Sequence, residues 1–323
     1  MKILITGACG FIGYSLAQNL LKKKHTVYAI DNLNDYYSIS LKNLRLKKLK
    51  KNKNLIFKKI DISDRKKLFK YFKNKKIDII FNFAAQAGVR YTLIKPDSYF
   101  FSNLIGFLNI CDLAKISNVK KLFFASSSSV YGDAKKYPVN EKFDLNPKNI
   151  YGLTKKINEI SAKTFSISNK IQYIGLRFFT VFGEWGRPDM MLFKVLHSFK
   201  KNKFFYLNDG GKHLRDFTYI KDVVSILDIL IKKKFKNNFE LYNVCSNRPL
   251  KVANVINEMQ SNLNGLKIKI VNPKILKKIE VNKTHGNNKK IIKLIKNYKF
   301  TSFNTALKNT IEWYLKNKIY KIT

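Results

Sequence analysis

Hydrophobic positions in the first half of the chain form short continuous runs that alternate with amphipathic segments. The runs predict β-strands at residues 2–6, 26–30, 54–60, 77–81, 121–125 and 171–176. The segments between them predict helices at residues 11–23, 64–72 and 149–169. Strands that are apolar along their whole length and are separated by helices are typical of a parallel sheet covered on both faces. We therefore predict an α/β fold with a doubly wound parallel sheet.

The second half of the chain has a less regular pattern. After residue 179, glycine, proline and asparagine interrupt it more often, and helices are predicted only at residues 223–231, 252–263 and 303–314. We expect a larger domain at residues 1–179, to which residues 216–246 return. A smaller C-terminal lobe at residues 180–323 would cover a ligand.

The formal net charge of +42 raises the question of a nucleic-acid partner. Nearly all of the excess is lysine, and it is spread over most of the chain. Recognition of nucleic acid favours arginine and aromatic residues grouped on one face. We therefore interpret the charge as a solvated exterior that attracts polyanions weakly, and predict no specific nucleic-acid partner.

The cysteines, the histidines and the N-terminus point away from other classes of protein. The three cysteines lie far apart in apolar contexts, as buried thiols in a reducing cytoplasm do, and the four histidines show no metal-ligand spacing. No apolar run approaches the ~20 residues that cross a bilayer. The chain enters its first strand directly, without a signal peptide. We predict a cytoplasmic protein with no metal and no membrane partner.

A glycine-rich turn joins the first predicted strand to the first predicted helix. Gly7, Gly10 and Gly13 let the backbone approach a dinucleotide pyrophosphate, which binds the N–H groups at the positive end of the helix. Asp31 follows the second strand, where its carboxylate can bind both ribose hydroxyls and would repel the 2′-phosphate of NADP. The combination predicts NAD as the cofactor.

Further cofactor contacts are expected after the third and fourth strands. Asp61 and Ile62 can contact adenine, and Ala84 and Ala85 are small enough to admit the nicotinamide half. The full predicted set of cofactor-binding residues is Gly7, Gly10, Phe11, Ile12, Gly13, Asp31, Asn32, Asp61, Ile62, Ala84, Ala85, Asn103, Tyr151 and Lys155.

Tyr151 and Lys155 lie four residues apart in a predicted helix and therefore share one face. A tyrosine ordinarily has a pKa of ~10. A neighbouring ammonium group and a positively charged nicotinamide would both favour the phenolate. We therefore predict that the pKa of Tyr151 is lowered, so that the phenol can act as a base near neutral pH.

Eight stretches carry a family resemblance over essentially the whole chain: GACGFIG, IDNLNDYYSISLK, AAQAGVRYTL, SNLIGFLNI, ASSSSVYG, YGLTKK, LRFFTVFGEWGRPDM and RDFTYIKDV. The chain resembles the extended short-chain dehydrogenase/reductase family of nucleotide-sugar epimerases and dehydratases, and within it the UDP-glucuronate 4-epimerases. The resemblance implies a Rossmann-type domain and NAD retained through turnover. It also implies a UDP-sugar substrate and a homodimer joined through helices of the cofactor domain.

The resemblance implies a role for each residue of the catalytic group. Tyr151 would be the base, and Lys155 would hold the nicotinamide ribose and lower the pKa of the phenol. Ser127 would hydrogen-bond the reacting sugar hydroxyl, with Ser128 as the competing assignment because the serines are consecutive. The related dehydratases and decarboxylases carry carboxylates in this segment, whereas this chain has Ser129 there. Simple hydride removal and return is therefore favoured.

An acidic sugar is predicted from the run of residues 177–191. Arg187 can form a bidentate clamp on a carboxylate, and Arg215 is expected to meet the pyrophosphate. Resembling enzymes carry a Pro-Gly-Asp-Val turn that contacts the nucleotide, whereas residues 278–281 here read Lys-Ile-Glu-Val. No uridine contact is therefore assigned there. The full predicted substrate set is Arg90, Ser127, Ser128, Ser129, Tyr151, Thr180, Arg187 and Arg215.

The leading hypothesis is NAD-dependent 4-epimerisation of UDP-glucuronate to UDP-galacturonate for cell-surface polysaccharide. The alternatives with the same fold are 4-epimerisation of UDP-glucose or UDP-N-acetylglucosamine and, less favoured, a UDP-glucuronate decarboxylase or a sugar 4,6-dehydratase. A non-catalytic NAD- or polyanion-binding protein is the alternative from another class. The Tyr151 and Lys155 pair argues against this alternative, because a binding protein does not need a tyrosine activated as a base.

Overall fold

The structure, a computed structural model, describes residues 1–296 and 298–323. The β-strands in chain order are β1 (Lys2–Thr6), β2 (Thr26–Asp31), β3 (Leu55–Lys59), β4 (Ile79–Asn82), β5 (Lys121–Ser127), β6 (Gln172–Phe178), β7 (Thr180–Phe182), β8 (Phe205–Asn208), β9 (Leu214–Tyr219), β10 (Phe239–Val244), β11 (Pro249–Lys251) and β12 (Ile268–Val271).

The α-helices in chain order are α1 (Phe11–Lys22), α2 (Ile39–Leu49), α3 (Arg65–Phe72), α4 (Asp97–Tyr99), α5 (Gly106–Ile116), α6 (Ile150–Ser168), α7 (Met191–Lys200), α8 (Ile220–Lys232), α9 (Val252–Asn262), α10 (Lys274–Ile279), α11 (Lys289–Ile295) and α12 (Phe303–Lys316). A π-helix, Phe100–Ile105, joins α4 to α5.

Seven strands form one sheet in the order β10-β6-β5-β4-β1-β2-β3, and every neighbouring pair is parallel. The order reverses between β1 and β4, which leaves a crevice at the carboxyl ends of these strands, the usual ligand position in such sheets. The predicted doubly wound α/β fold of the Rossmann type is confirmed.

Each face of the large sheet is covered by its own apolar core. On one face, α3, α5 and α6 contribute residues such as Leu68, Phe107 and Ala162. On the other face, α1 packs beside α8, and Asn19 of α1 and Lys23, which follows the helix, bind Asp228. The central strands β1, β4, β5 and β6 are largely buried, which explains their continuous apolar runs, whereas the edge strand β3 is partly exposed.

The C-terminal half builds two smaller sheets beside the large one. One contains β11, β9 and β7, and the other pairs β12 with β8. Residues 216–246 contribute most of β9 to the three-stranded sheet, and then α8 and β10, of which β10 lies next to β6 in the large sheet. Among the described residues, no helix has the length and apolarity needed to cross a bilayer.

Candidate active site

Two cavities meet at the carboxyl ends of the central strands. The first, of about 230 Å³, follows the crevice between β1 and β4 and is called here the cofactor crevice. The second, of about 1020 Å³, lies between the large sheet and the C-terminal half and is called the substrate cavity. Ser127, Tyr151 and Arg187 line both cavities. A reacting group held at the junction could therefore face ligands on both sides.

The cofactor crevice brings together every residue of the predicted cofactor set except Asn103. The Asn103 side chain is buried and hydrogen-bonds within the protein, donating to Gln86 O at 3.1 Å and to Thr154 Oγ1 at 3.0 Å. It accepts from Gln86 N at 2.7 Å. Asn103 thus ties the loop after β4 to α6, the helix that carries Tyr151.

The glycine turn fits a dinucleotide pyrophosphate. Gly10 caps α1 without a side chain, so no protein side chain caps the first N–H groups of this helix. Gly7 has a φ of +65°, and a Cβ there would lie 2.7 Å from Ala84 N. A Cβ at Gly13 would clash with the carbonyl oxygen of Gly7. The turn can therefore close only with glycine at these positions, and it leaves backbone donors for an anion.

The two aspartates of the crevice are held by different partners. Asp31 accepts from Cys9 N at 2.9 Å and from Leu33 N at 2.8 Å, which fixes its carboxylate at the end of β2. Asp61 accepts from the Asn32 side chain at 2.8 Å. Burial raises the pKa of Asp61, but hydrogen bonds from Asn32 and Ser63 prevail and hold that pKa below its usual value.

The N-terminus of α6 packs closely on the serine segment. Asn149 caps this helix by accepting from Gly152 N at 2.9 Å. A Cβ at Gly152 would lie 2.6 Å from Ser129 O, so glycine after Tyr151 permits the close approach. Of the serines that sequence left as alternatives, Ser127 is the one whose hydroxyl lowers the pKa of Tyr151, and that hydroxyl also accepts from Ser129 N at 3.1 Å.

Lys155 is buried beside Tyr151, and its ammonium group hydrogen-bonds to a backbone carbonyl of β5. Its Nζ lies 5.8 Å from the centroid of the Tyr151 ring and donates to Ala125 O at 2.8 Å. Burial raises the pKa of Tyr151 in the protein alone, and the nearby Ser127 hydroxyl and the charge of Arg187 lower it only in part. The lowered pKa predicted for the phenol beside a positively charged nicotinamide stays a prediction.

The substrate cavity brings together all eight residues of the predicted substrate set. Arg187 is not free, because Asp189 holds it in a bidentate ion pair with N–O distances of 3.0 and 2.5 Å. Tyr36 OH donates to the same carboxylate at 2.9 Å. The opposing charge of Asp189 outweighs burial and raises the pKa of Arg187 further above its already high value, so the guanidinium stays charged.

The other two arginines of the substrate set also have partners in the protein. Arg90 Nε donates to Glu280 Oε1 at 2.6 Å, so the divergent 278–281 turn reaches across to the loop after β4. Arg215 Nη1 donates to Leu214 O at 2.9 Å and to Asn282 O at 3.1 Å. Burial lowers the pKa of Arg215, against the opposing charge of Glu280.

Several wall residues were missed by the sequence analysis. Lys42 is buried in the cofactor crevice and donates to Asn34 O and Asn34 Oδ1 at 2.6 Å each. Tyr36 lines both cavities, and Asp189 lines the substrate cavity. The polar stretches around residues 34–42 and 187–189 were the available signal, but the hydrogen bond that joins them, from Tyr36 OH to Asp189, spans 153 positions of the chain.

Comparisons with known proteins agree with this arrangement. A family model described as the NAD dependent epimerase/dehydratase family matches residues 3–245. The chain is 36% identical over 333 residues to Protein CapI of Staphylococcus aureus, with 98% of each protein covered. It is 34% identical over 331 residues to UDP-glucuronate 4-epimerase 2 of Arabidopsis thaliana, covering 98% of this chain and 76% of that protein.

A solved structure is similar over the same length. It is the UDP-glucuronic acid 4-epimerase from Bacillus cereus in complex with UDP-glucuronic acid and NAD, with a TM-score of 0.89 and 26% identity over 98% of this chain and 100% of that chain. The chain therefore belongs to the NAD-dependent epimerase/dehydratase family. Its membership confirms the predicted family, NAD as the cofactor and the assignment as an NAD-dependent epimerase.

Proposed function

We propose that this protein inverts C4 of UDP-glucuronate to give UDP-galacturonate, with Tyr151, Lys155 and Ser127 as its catalytic group. The observation that carries the proposal is the position of Arg187, a charged arginine that lines both cavities and acts electrostatically on Tyr151. A sugar carboxylate bound there would lie close to the catalytic phenol. The Bacillus cereus and Arabidopsis thaliana relatives, both named for this activity, support the substrate.

The residues divide the work as follows. The residues of the cofactor crevice would hold NAD, which would supply the acceptor and donor of the C4 hydride. Tyr151 accepts the proton of the 4-hydroxyl and later gives it back. Ser127, whose hydroxyl lies near the phenol of Tyr151, orients that hydroxyl and stabilises the ketone oxygen that replaces it. Lys155 holds the ribose beside the nicotinamide and adds positive charge next to the phenol.

Arg187 has a second task during turnover. Oxidation of C4 makes a β-keto acid, which loses CO₂ when the bond to its carboxylate aligns with the π system of the ketone. Asp189 takes the Nε and one Nη2 hydrogen of Arg187, and Nη2 also donates to Tyr36 OH at 3.4 Å, which leaves the Nη1 group for the substrate. Donors fixed in this way can hold the sugar carboxylate out of alignment and preserve the intermediate.

The ion pair between Arg187 and Asp189 also favours a second candidate, 4-epimerisation of a neutral UDP-sugar. Asp189 already compensates the charge of Arg187, and its carboxylate could accept a hydrogen bond from a 6-hydroxyl group. A sugar without a carboxylate could therefore bind without leaving a buried charge unpaired.

The test is to incubate the purified protein separately with UDP-glucuronate, UDP-glucose and UDP-N-acetylglucosamine, to separate the sugar nucleotides and to measure CO₂. We expect UDP-galacturonate as the main product, without gas, and at least ~10-fold lower kcat/KM for the neutral sugars, a difference of about 1.4 kcal/mol. Formation of UDP-xylose with CO₂ would identify a decarboxylase. Turnover of neutral sugars alone would support the second candidate.

We also propose that the protein is a homodimer joined through α5 and α6. Exposed apolar side chains recur on one face of each helix region: Phe101, Ile105 and Leu108 before and in α5, and Leu153, Ile160 and Ile167 in α6. Spacings of three, four and seven residues place each set on one helical face. A second copy presenting the same two helices would cover both faces symmetrically.

Replacing Phe101 and Ile160 together by glutamate is expected to raise the dimer dissociation constant by at least ~100-fold, because two buried apolar contacts would become unpaired charges. Sedimentation velocity over a concentration series measures the change. The control is Ile270→Glu, an exposed apolar position in β12, which should leave the assembly unchanged. A wild-type protein that sediments as a monomer at all concentrations would rule out the dimer.

A further inference from the structure

Residues 125–127 of β5 contact three residues of α6 that are spaced four positions apart. The Ser127 hydroxyl lies near the Tyr151 phenol and lowers its pKa, Lys155 Nζ donates to Ala125 O at 2.8 Å, and Ser126 Oγ donates to Glu159 Oε1 at 2.5 Å. Positions four apart lie on one helical face, so the three contacts fix α6 along this end of β5. The first two involve the proposed catalytic group, whereas the proposed reaction does not use the third.

Glu159 belongs to a buried ion pair. The guanidinium group of Arg177 in β6 binds Glu159 in a bidentate manner, with Nε donating to Oε1 at 2.8 Å and Nη2 donating to Oε2 at 2.7 Å. Both side chains are almost fully buried. Arg177 Nη1 also donates to Tyr131 OH at 2.7 Å, and Tyr131 OH donates to Asn243 Oδ1 at 2.7 Å. The pair therefore connects α6, β5, β6 and β10.

Stability alone does not account for such a pair. Desolvation of two charges offsets much of their attraction, and apolar residues of similar volume often serve a core equally well. Glu159 follows Lys155 by one helical turn on the same face of α6. It also accepts a hydrogen bond from Ser126, the residue next to Ser127. Its position points to a task connected with these two residues.

We propose that Glu159, held in place by Arg177, is a positioning residue for the catalytic group. It fixes the segment that carries Ser127, and it supplies the negative charge that keeps the buried ammonium of Lys155 protonated. The inference rests on the proposed roles of Tyr151, Lys155 and Ser127.

The groups around Lys155 support this role. On α6, the Tyr151 ring centroid lies 5.8 Å from its Nζ and the charge of Glu159 acts on it; from β5 the carbonyl of Ala125 accepts from it, and Arg177 of β6 is paired with Glu159. Burial lowers the pKa of Lys155 to about 8, and Glu159 is the group that opposes the fall. A lysine with a pKa of about 8 is mostly charged at neutral pH. A further drop of one unit would leave roughly half of it neutral there.

The test measures the protonation of Lys155 directly, in protein labelled with [ε-¹³C]lysine. The Lys155 resonance is assigned by its loss in Lys155→Met, and its pH titration is compared between wild type and Glu159→Gln. We expect the titration midpoint to fall by at least ~1 pH unit in Glu159→Gln. The alkaline limb of the kcat profile should move down in parallel, since the neutral amine no longer assists Tyr151. A purely structural role would lower kcat without moving either quantity.

Glu159→Gln leaves Arg177 buried without a counter-ion, which destabilises the fold, so a second variant is needed. The double variant Glu159→Leu/Arg177→Met removes both charges and approximately keeps the volume, and it should lower the Lys155 midpoint too, by less than Glu159→Gln because the positive charge of Arg177 is also gone. Glu240→Gln, which removes another ion-paired glutamate in β10, is the control and should change nothing. A folded double variant with an unmoved Lys155 titration would overturn the inference. Failure of the proposed reaction would instead abolish wild-type turnover and leave the NMR comparison intact.

Discussion

Replacing Tyr151 by phenylalanine is expected to lower kcat by ~10³-fold or more while leaving the affinity for NAD within a few-fold of wild type. The phenol is the proposed group that takes the proton from the 4-hydroxyl, and the ring that remains still fills its place in the crevice wall. Steady-state epimerisation and calorimetric titration of the apoprotein with NAD measure the two quantities. An active Phe variant would show that another group is the base.

Tyr71→Phe is the matched control for this substitution. Tyr71 lies in α3, away from both cavities, so the loss of its hydroxyl should leave kcat unchanged. The same pair of variants tests the ionisation of Tyr151. The difference in ultraviolet titration between wild type and Tyr151→Phe should show a phenol that ionises above its ordinary pKa in the apoprotein, because burial outweighs Ser127 and Arg187. A midpoint near neutrality without cofactor would contradict this electrostatic picture.

The fold could be predicted because its signals are local. Each central strand is a short apolar run bounded by polar residues, and the glycine turn marks the passage from β1 to α1. In a parallel sheet, residues that follow the strands meet at one edge, so Asp31, Asp61 and Ala84 could be assigned together. Helix α2 was missed because lysines occupy many of its positions. Its buried residues are leucines, Lys42 and Arg45, of which Arg45 is wholly buried.

The electrostatics of the site could not be predicted, because they depend on distances across the fold. Spacing in sequence placed Lys155 beside Tyr151, but it did not show that the ammonium group donates to Ala125 O or that the charge of Arg187 also acts on the phenol. Likewise, Arg187 is paired with Asp189, only two residues away, and Tyr36, far away in sequence, binds the same carboxylate. A sequence motif identifies the residue types of the site. Burial and hydrogen-bonding partners within the protein determine which of its charged side chains can bind a ligand.

Arg187→Met is expected to lower kcat/KM for UDP-glucuronate by ~10²-fold more than for UDP-glucose. Two charge-assisted hydrogen bonds to the sugar carboxylate would be lost, and a loss of about 3 kcal/mol corresponds to that factor. Both substrates should share a smaller fall in kcat, because Arg187 also lowers the pKa of Tyr151. The ratio of the two substrates therefore isolates the carboxylate contact from the effect on the base.

Arg215→Met is the control for this ratio, since a contact with the pyrophosphate common to both substrates would weaken them equally. CO₂ released from UDP-glucuronate gives an independent readout, because a carboxylate no longer held by Arg187 can rotate into alignment with the C4 ketone. We expect gas from Arg187→Met and none from Arg215→Met. An equal loss for both sugars in Arg187→Met, with no CO₂, would mean that Arg187 does not bind the sugar carboxylate. The ion pair with Asp189 would then be its structural role.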